Sequence, residues 1–213
     1  MQFEVDNELY DVVIIRKSST KGLYIRVKND LKIYVTTSKW ALKYEIRRAL
    51  EKNYDKIVKM IDTQKKIIEN NEGFYYLGKK YDICYVDNGT VKLDGNKAYI
   101  KEGYDVDKWY RKQAEVIFQE RLDENYNNFT RKIPRPTLRI RRMSTRWGVC
   151  NVKTHKITLN LKLIERDQKY LDYVILHELS HLIHGDHSRR FWDLVEENYP
   201  DYKTVVKEMK LFW

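Results

Sequence analysis

Alternating apolar and polar residues predict β structure in the first part of the chain. Three stretches rich in β-branched and aromatic residues show this pattern. The predicted strands cover residues 10–16, 23–27 and 31–35. From Ser38, a good helix N-cap, apolar residues recur with helical spacing through Glu69. We expect a β-meander followed by one long helix.

Short alternating stretches return after this helix, in two pairs separated by turn residues. Gly78-Lys79 lies in the first turn and Asp94-Gly95-Asn96 in the second, so two β-hairpins are predicted. Their strands cover residues 75–77, 81–86, 91–93 and 98–100. Gly103 follows, and Asp105 caps a helical run from Val106 to Thr130. We place a domain boundary here, between a mixed α/β region at 1–103 and a second domain at 104–213.

The last third of the chain predicts a small sheet and three helices. Strands are expected at 137–142 and 157–160, with a turn over 143–151 between them. Asp167 caps a helix that is apolar on nearly every side, which is typical of a buried helix. Ser188 caps the next helix, and a third spans 202–211. The predicted fold class is therefore α+β.

Four of the five histidines lie within residues 177–187. His177 and His181 are four residues apart, so on a helix both imidazoles reach the same ion. Glu178 then lies beside the open coordination position. Two neutral nitrogens hold a divalent metal, usually zinc, and a carboxylate accepts a proton from the water that the metal acidifies. The alternative is a set of hydrogen-bonded core histidines.

The third ligand is expected to be His187. His184 stands about 10 Å along the helix axis from His177, too far to share its ion. Gly185 is expected to adopt the left-handed conformation that ends a helix and turns the chain back. This places His187 near the first two histidines, and leaves one position for water or substrate. One Zn²⁺ per chain is predicted.

Composition and charge indicate where the protein is located and which partners it could bind. The 213 residues contain no long apolar run and no signal-peptide pattern, so a cytoplasmic protein without membrane spans is expected. Cys84 and Cys150 give no disulfide framework. The formal charge is +10, and residues 131–146 carry seven basic residues and no acid. Nucleic acid is one explanation of this basic stretch, Arg131–Arg146, and a solvated strand face is the other.

The chain resembles the YgjP-like metallopeptidases, which are similar in motif to the SprT-like and WLM-type zinc proteases of the zincin class. The resemblance rests on the motifs Arg146-Trp147-Gly148-Val149-Cys150, Thr158-Leu159-Asn160-Leu161, His177-Glu178-Leu179-Ser180-His181, His187-Ser188 and Phe191-Trp192. Val149 stands where the family commonly has Ser. The resemblance implies a zincin-like domain, hydrolysis of peptide or protein substrates, His177, His181 and His187 as zinc ligands, and Glu178 as general base.

For the remaining roles in the site, the sequence offers several candidate residues. A transition-state stabiliser is expected among Tyr199, Tyr202 and Arg146. A strand edge that binds substrate is expected at Thr137–Arg142 or at Ile157, Thr158, Leu159 and Asn160. Two other functions compete with the zinc peptidase: a nucleic-acid-associated protease, and a non-enzymatic protein whose zinc is structural. The last requires a fourth protein ligand from Asp186, Glu196 or Glu197.

Overall fold

The computed structural model describes residues 1–212 and divides into two compact units. The first comprises residues 1–72 with Leu211 and Phe212, and the second comprises residues 73–210. Trp213 lies outside the described residues. The protein is α+β, as predicted. In the described part of the chain, no helix combines the length and the apolar character needed to cross a bilayer.

The first unit is a four-stranded sheet packed against two helices. Its elements are β1 (Gln2–Val5), β2 (Glu8–Lys17), β3 (Tyr24–Val27), β4 (Ile33–Ser38), α1 (Lys43–Lys52) and α2 (Tyr54–Asn71). The strands lie in the order β1-β2-β4-β3, and β2 and β4 are parallel. The predicted meander was therefore wrong. Ile33 and Val35 of β4 are fully buried, which favours the centre of the sheet, whereas β3 is half exposed and forms an edge.

The predicted helix from Ser38 was wrong at its start and in its continuity. Ser38 ends β4, and the Arg16 guanidinium donates to the carbonyls of Lys39 and Ala41, at 2.9 and 2.8 Å, which fixes the following loop. The first helix begins after Leu42. A break at Asn53 separates α1 from α2, where the Asn53 side chain donates to a carbonyl of the preceding turn. Such side-chain bonds compete with helical continuation.

The second unit contains two sheets and four α-helices among the described residues. Its elements are β5 (Phe74–Tyr76), β6 (Lys79–Val86), β7 (Val91–Asp94), β8 (Lys97–Lys101), α3 (Val106–Asn128), β9 (Thr137–Arg141), β10 (Gly148–Asn151), β11 (Lys156–Asn160), a 3-10 helix (Leu161–Glu165), α4 (Gln168–Ser180), α5 (Arg189–Asn198) and α6 (Tyr202–Met209). Both predicted hairpins, β5–β6 and β7–β8, are confirmed. Parallel pairing of β6 with β8 joins them into one sheet.

The two hairpins belong to the second unit, whereas the prediction grouped them with residues 1–103. Phe74 of β5 stacks on Tyr110 of α3, with ring centroids 5.3 Å apart, and lies 5.7 Å from the ring of Trp109. The Tyr110 hydroxyl donates to the carbonyl of Tyr75 at 2.6 Å. These contacts explain why the compact units divide after Glu72 rather than at Gly103.

The second sheet of this unit has the order β10-β11-β9. β11 pairs antiparallel with β10 and parallel with β9, so it is hydrogen bonded on both sides. The prediction that Ile157, Thr158, Leu159 and Asn160 offer a substrate-binding edge was wrong for this reason. Residues 148–151 form an edge strand, although the sequence predicted a turn throughout 143–151.

Helix α4 lies at the centre of the second unit. The side chain of Asp167 caps its first turn by accepting from the Lys169 N–H at 2.9 Å, as predicted. It packs against α3, α5, α6, β10 and β11, which leaves few of its residues exposed. A helix enclosed in this way holds its polar side chains in fixed positions.

Candidate metal centre

Three histidines converge at the end of α4. His177 lies in its last turn, His181 is the residue that follows the helix, and His187 lies in the connection to α5. One ring nitrogen of each lies within 4.8 Å of the others. The Nε2 atoms of His177 and His187 are 3.2 Å apart. The imidazole of His184 is not part of this cluster.

The opposite nitrogens of two rings have hydrogen-bond partners. Nδ1 of His177 lies 3.4 Å from the Tyr173 hydroxyl, and Nδ1 of His181 lies 3.1 Å from the carbonyl oxygen of His184. A carbonyl accepts a hydrogen bond, so Nδ1 of His181 carries the proton and its Nε2 keeps a free lone pair. Such contacts orient metal-binding imidazoles. Tyr173 was not among the predicted site residues, although its position four residues before His177 puts both on one helix face.

The connection to His187 differs from the predicted one. α4 ends at Ser180, and the N–H groups of Ile183 and His184 both donate to the Ser180 carbonyl, at 3.1 and 3.0 Å. Gly185 is not among the residues with positive φ, and a Cβ added to it would meet no atom within 4 Å. The predicted left-handed Gly185 was therefore wrong, since the tight turn after Ser180 reverses the chain instead.

An aromatic side chain supports the three imidazoles from one side. Phe191 is fully buried, and its ring centroid lies 4.9, 4.5 and 4.8 Å from those of His177, His181 and His187. Trp192 lies beside His177 and His187 at 5.8 and 5.7 Å. This packing restricts the positions of the imidazole rings.

Burial keeps His177 and His181 neutral. Burial and, to a smaller extent, the neighbouring His181 and His187 together lower the pKa of His177 to about 3. Burial also lowers the pKa of His181. Neutral imidazole is the form that binds a metal ion, so these two histidines are in the protonation state that metal binding requires.

Glu178 is 5% exposed and lies against β10. The Cys150 N–H faces its carboxylate. A Cβ built on Gly148 would fall 2.5 Å from Oε1 of Glu178 and 2.8 Å from Cγ1 of Val174, so only glycine fits here unless the carboxylate moves. Burial raises the pKa of Glu178 to about 8, against the opposing effects of the Cys150 N–H and the Arg146 charge.

The three predicted transition-state stabilisers have different surroundings. Arg146 is exposed, and its charge acts on Glu178. The Tyr199 hydroxyl donates to the carbonyl of Lys169 near the start of α4, at 3.3 Å. Tyr202 is buried and its ring stacks on Trp192 at 5.4 Å. The role predicted for these three residues stays a prediction.

The basic stretch 131–146 is partly neutralised by acids from other elements. Arg131 makes a two-bond ion pair with Glu197, at 2.7 and 2.8 Å. Arg135 pairs with Asp123 at 2.7 Å, and Arg142 pairs with Asp107. This arrangement favours the solvated-face explanation over a phosphate-binding surface.

Candidate fourth ligands also have other partners. Glu197 pairs with Arg131, Glu196 pairs with Lys203 at 2.9 Å, and Asp186 accepts from the Ser188 N–H at 3.3 Å. Within residues 1–212, the cluster of metal-binding side chains contains the three histidines alone. A bound ion would thus keep a position open.

Comparison with known proteins identifies the family. The family model described as YgjP-like, metallopeptidase domain, matches residues 21–212. No curated protein matches the sequence. Among solved structures, the metallopeptidase zymogen abylysin of Pyrococcus abyssi is 24% identical, with 44% of this chain and 91% of that chain covered and a TM-score of 0.40. The zymogen jannalysin of Methanocaldococcus jannaschii is 21% identical, with 43% and 92% covered and a TM-score of 0.36.

The family match covers nearly the whole sequence and agrees with the resemblance carried by the motifs around Trp147 and His177. A metallopeptidase domain requires metal-binding side chains, and a cluster of three histidines that could hold a metal ion is present. The chain belongs to the YgjP-like metallopeptidase family and is a metal-dependent hydrolase.

Proposed function

We propose that this protein is a zinc-dependent peptidase in which His177, His181 and His187 bind the metal and Glu178 is the general base. The observation that carries the proposal is the convergence of three histidine nitrogens within 4.8 Å at the end of the helix that also holds a buried glutamate. We also propose that residues 73–210 form a zincin-like unit around α4.

The donor set fits zinc. Imidazole nitrogens bind zinc at about 2.0–2.1 Å, so two of them in a tetrahedral site lie about 3.3 Å apart. The separation of 3.2 Å between Nε2 of His177 and Nε2 of His187 agrees with this value. Bound here, zinc would acidify a water molecule and polarise a peptide carbonyl.

Glu178 supplies the proton transfers. Its carboxylate accepts a proton from the attacking water and then passes it to the amine that leaves. The Cys150 N–H lies beside the carboxylate on the β10 side. Arg146 is the candidate that we propose to stabilise the developing oxyanion, because its charge already acts on this site.

Substrate is proposed to bind along β10. This strand is an edge of its sheet and carries the Cys150 N–H that contacts Glu178. An extended peptide added to this edge lies beside the general base. The other edge strand, β9, is separated from β10 by β11.

Structural zinc sites are closed by four protein ligands, whereas the cluster found among residues 1–212 offers three. This difference weakens the alternative of a structural zinc. The nucleic-acid-associated alternative is weakened by the ion pairs of Arg131, Arg135 and Arg142.

Metal analysis tests the zinc assignment. We expect one zinc per chain in the purified protein and less than a tenth of that in His187→Ala, with peptide cleavage lost on chelation and restored by zinc. Zinc binding that survives in His187→Ala would show that another residue completes the site.

A further inference from the structure

A buried asparagine outside the metal site uses all of its hydrogen-bonding capacity on the main chain. Asn160 is fully buried at the end of β11. Its Nδ2 donates to the carbonyls of Met143 and Arg146, at 2.9 and 2.8 Å. Its Oδ1 accepts from the N–H groups of Met143 and Lys162, both at 3.2 Å. A side-chain amide has two donors and two lone pairs, so none remains unused.

These bonds fix the loop that leads into β10. Residues 143–147 form no helix or strand, and Ser144, Thr145 and Arg146 are exposed. Asn160 binds this loop near both ends through its side chain, and its N–H donates to the Trp147 carbonyl at 2.8 Å. The position at which β10 begins is therefore set by one residue, through its side chain and its main chain.

The start of β10 in turn fixes the carboxylate of Glu178. Gly148 approaches Oε1 so closely that it leaves no room for a Cβ, and the Cys150 N–H faces the same carboxylate. A shift of β10 by a fraction of an ångström changes both contacts.

We propose that Asn160 is a positioning residue for Glu178, which it reaches through the 143–147 loop and β10. The inference rests on the proposed function, in which Glu178 is the general base. Asn160 holds the carboxylate at the angle needed for proton transfer without touching the metal or the substrate.

The histidines depend on other contacts. His177 and His181 are held by α4, by the Tyr173 hydroxyl and by the His184 carbonyl, and Phe191 packs against all three rings. Loss of the Asn160 bonds should therefore lower turnover while zinc affinity is unchanged. A general loss of structure would lower both.

Asn160→Asp is the sharpest test. Aspartate keeps the size of asparagine and the acceptor for Met143 and Lys162, but places an oxygen opposite the carbonyls of Met143 and Arg146. Asn160→Ser is the second variant, since serine still caps the 3-10 helix at Lys162 but does not reach the loop.

Asn198→Asp is the matched control. The Asn198 amide makes the same kind of bonds, donating to Oγ1 of Thr130 and the carbonyl of Leu194 at 3.0 and 2.9 Å and accepting from the Thr130 N–H at 3.0 Å. These bonds fasten a different loop, between α3 and β9.

We expect kcat of both Asn160 variants to fall about 100-fold, as for a reacting group displaced by about 1 Å. Their KM and zinc dissociation constant should stay within about threefold of wild type, and amide exchange at Cys150 should accelerate at least about tenfold. Asn198→Asp should match wild type in all four measurements. Zinc affinity falling in parallel with kcat, or unchanged kcat despite faster Cys150 exchange, would overturn the proposal.

Amide exchange also separates this inference from the proposed function. In the wild-type protein, the Cys150 and Asn160 amides should both be protected, and rapid exchange at Cys150 would overturn the inference even if neither variant folds. Wild-type peptide cleavage that persists in Glu178→Gln would instead remove the proposed function, whatever the exchange pattern.

Discussion

Gly148 is expected to control the position of the Glu178 carboxylate because it has no Cβ. In Gly148→Ala, the new Cβ would fall 2.5 Å from Oε1 of Glu178, and the carboxylate is the group that can move away. We expect kcat to fall about 100-fold and stability to fall by about 1–3 kcal/mol, as for overpacking. Zinc content should not change. Gly185→Ala is the control, since its Cβ would meet no atom within 4 Å, and equal activities of the two variants would contradict this account.

Tyr173 is expected to support zinc binding through its hydroxyl. Tyr173→Phe removes the contact with Nδ1 of His177, and loss of such supporting contacts typically weakens metal binding about 10- to 100-fold. Competition with a zinc chelator measures the change. Tyr199→Phe removes a tyrosine hydroxyl bond at the other end of α4 and should leave zinc affinity unchanged. Equal affinities of the two variants would remove Tyr173 from the site.

Cys150 is expected to be an unreactive thiol. Burial and, to a smaller extent, the nearby Glu178 carboxylate together raise its pKa to about 12. A raised pKa keeps the thiol protonated, so its alkylation at pH 8 should be about 10³-fold slower than that of a free cysteine with a pKa of about 8.5. The rate should rise about tenfold per pH unit through pH 10. A rate that levels off by about pH 10 would show an ordinary thiol.

Sequence patterns located the histidines and Glu178 because these residues are close along the chain. The groups that fix them were not found in this way. Gly148, Asn160 and Phe191 come from separate elements, and their roles depend on main-chain distances that a sequence does not contain. The prediction for Gly185 was wrong for the opposite reason. Glycine is typical of a helix end, so the turn was assigned to Gly185, but the hydrogen bonds that form the turn are accepted by the Ser180 carbonyl.

At the scale of elements, local signals were reliable and long-range pairing was not. Asp105 and Asp167 cap helices as predicted, because a side chain and the next turn suffice for a cap. The neighbours of β4 and β11 depend instead on which strands are most buried. Ile157 and Leu159 of β11 are fully buried, and β11 is accordingly the central strand of its sheet rather than an edge.

The β5–β6 hairpin is expected to depend on Gly78. The Leu77 and Gly78 N–H groups donate to the carbonyls of Ile164 and Glu165, at 2.9 and 3.4 Å, and a Cβ on Gly78 would lie 2.9 Å from Cα of Asp167. We expect Gly78→Ala to lower the free energy of unfolding by about 3 kcal/mol, from left-handed strain and the clash together.

Gly103→Ala is the matched control for this variant. Gly103 has a φ of +73°, close to the +82° of Gly78, but no atom lies within 4 Å of its added Cβ. In Gly103→Ala, left-handed strain alone should lower the free energy of unfolding by about 1 kcal/mol. Denaturant unfolding measures the stability of both variants. Equal decreases in the free energy of unfolding would show that the hairpin is not held against the start of α4.

At the scale of the whole molecule, the charge of +10 does not by itself define a binding surface. Several arginines of the 131–146 stretch are paired with acids of α3 and α5, which the sequence could not reveal because the partners are far apart in the chain. The site and both sheets around it lie within residues 73–210. We propose that this unit carries the peptidase activity.

The rate at which zinc-loaded Glu178→Gln cleaves peptides, compared with the wild-type protein, tests the central claim most directly. Glutamine keeps the size of glutamate but accepts no proton, so we expect cleavage to fall at least about 10³-fold with one zinc per chain retained. A screen of cellular peptides against both proteins supplies the substrate. Cleavage by Glu178→Gln at the wild-type rate, with the same zinc content, would contradict the assignment of Glu178 as general base.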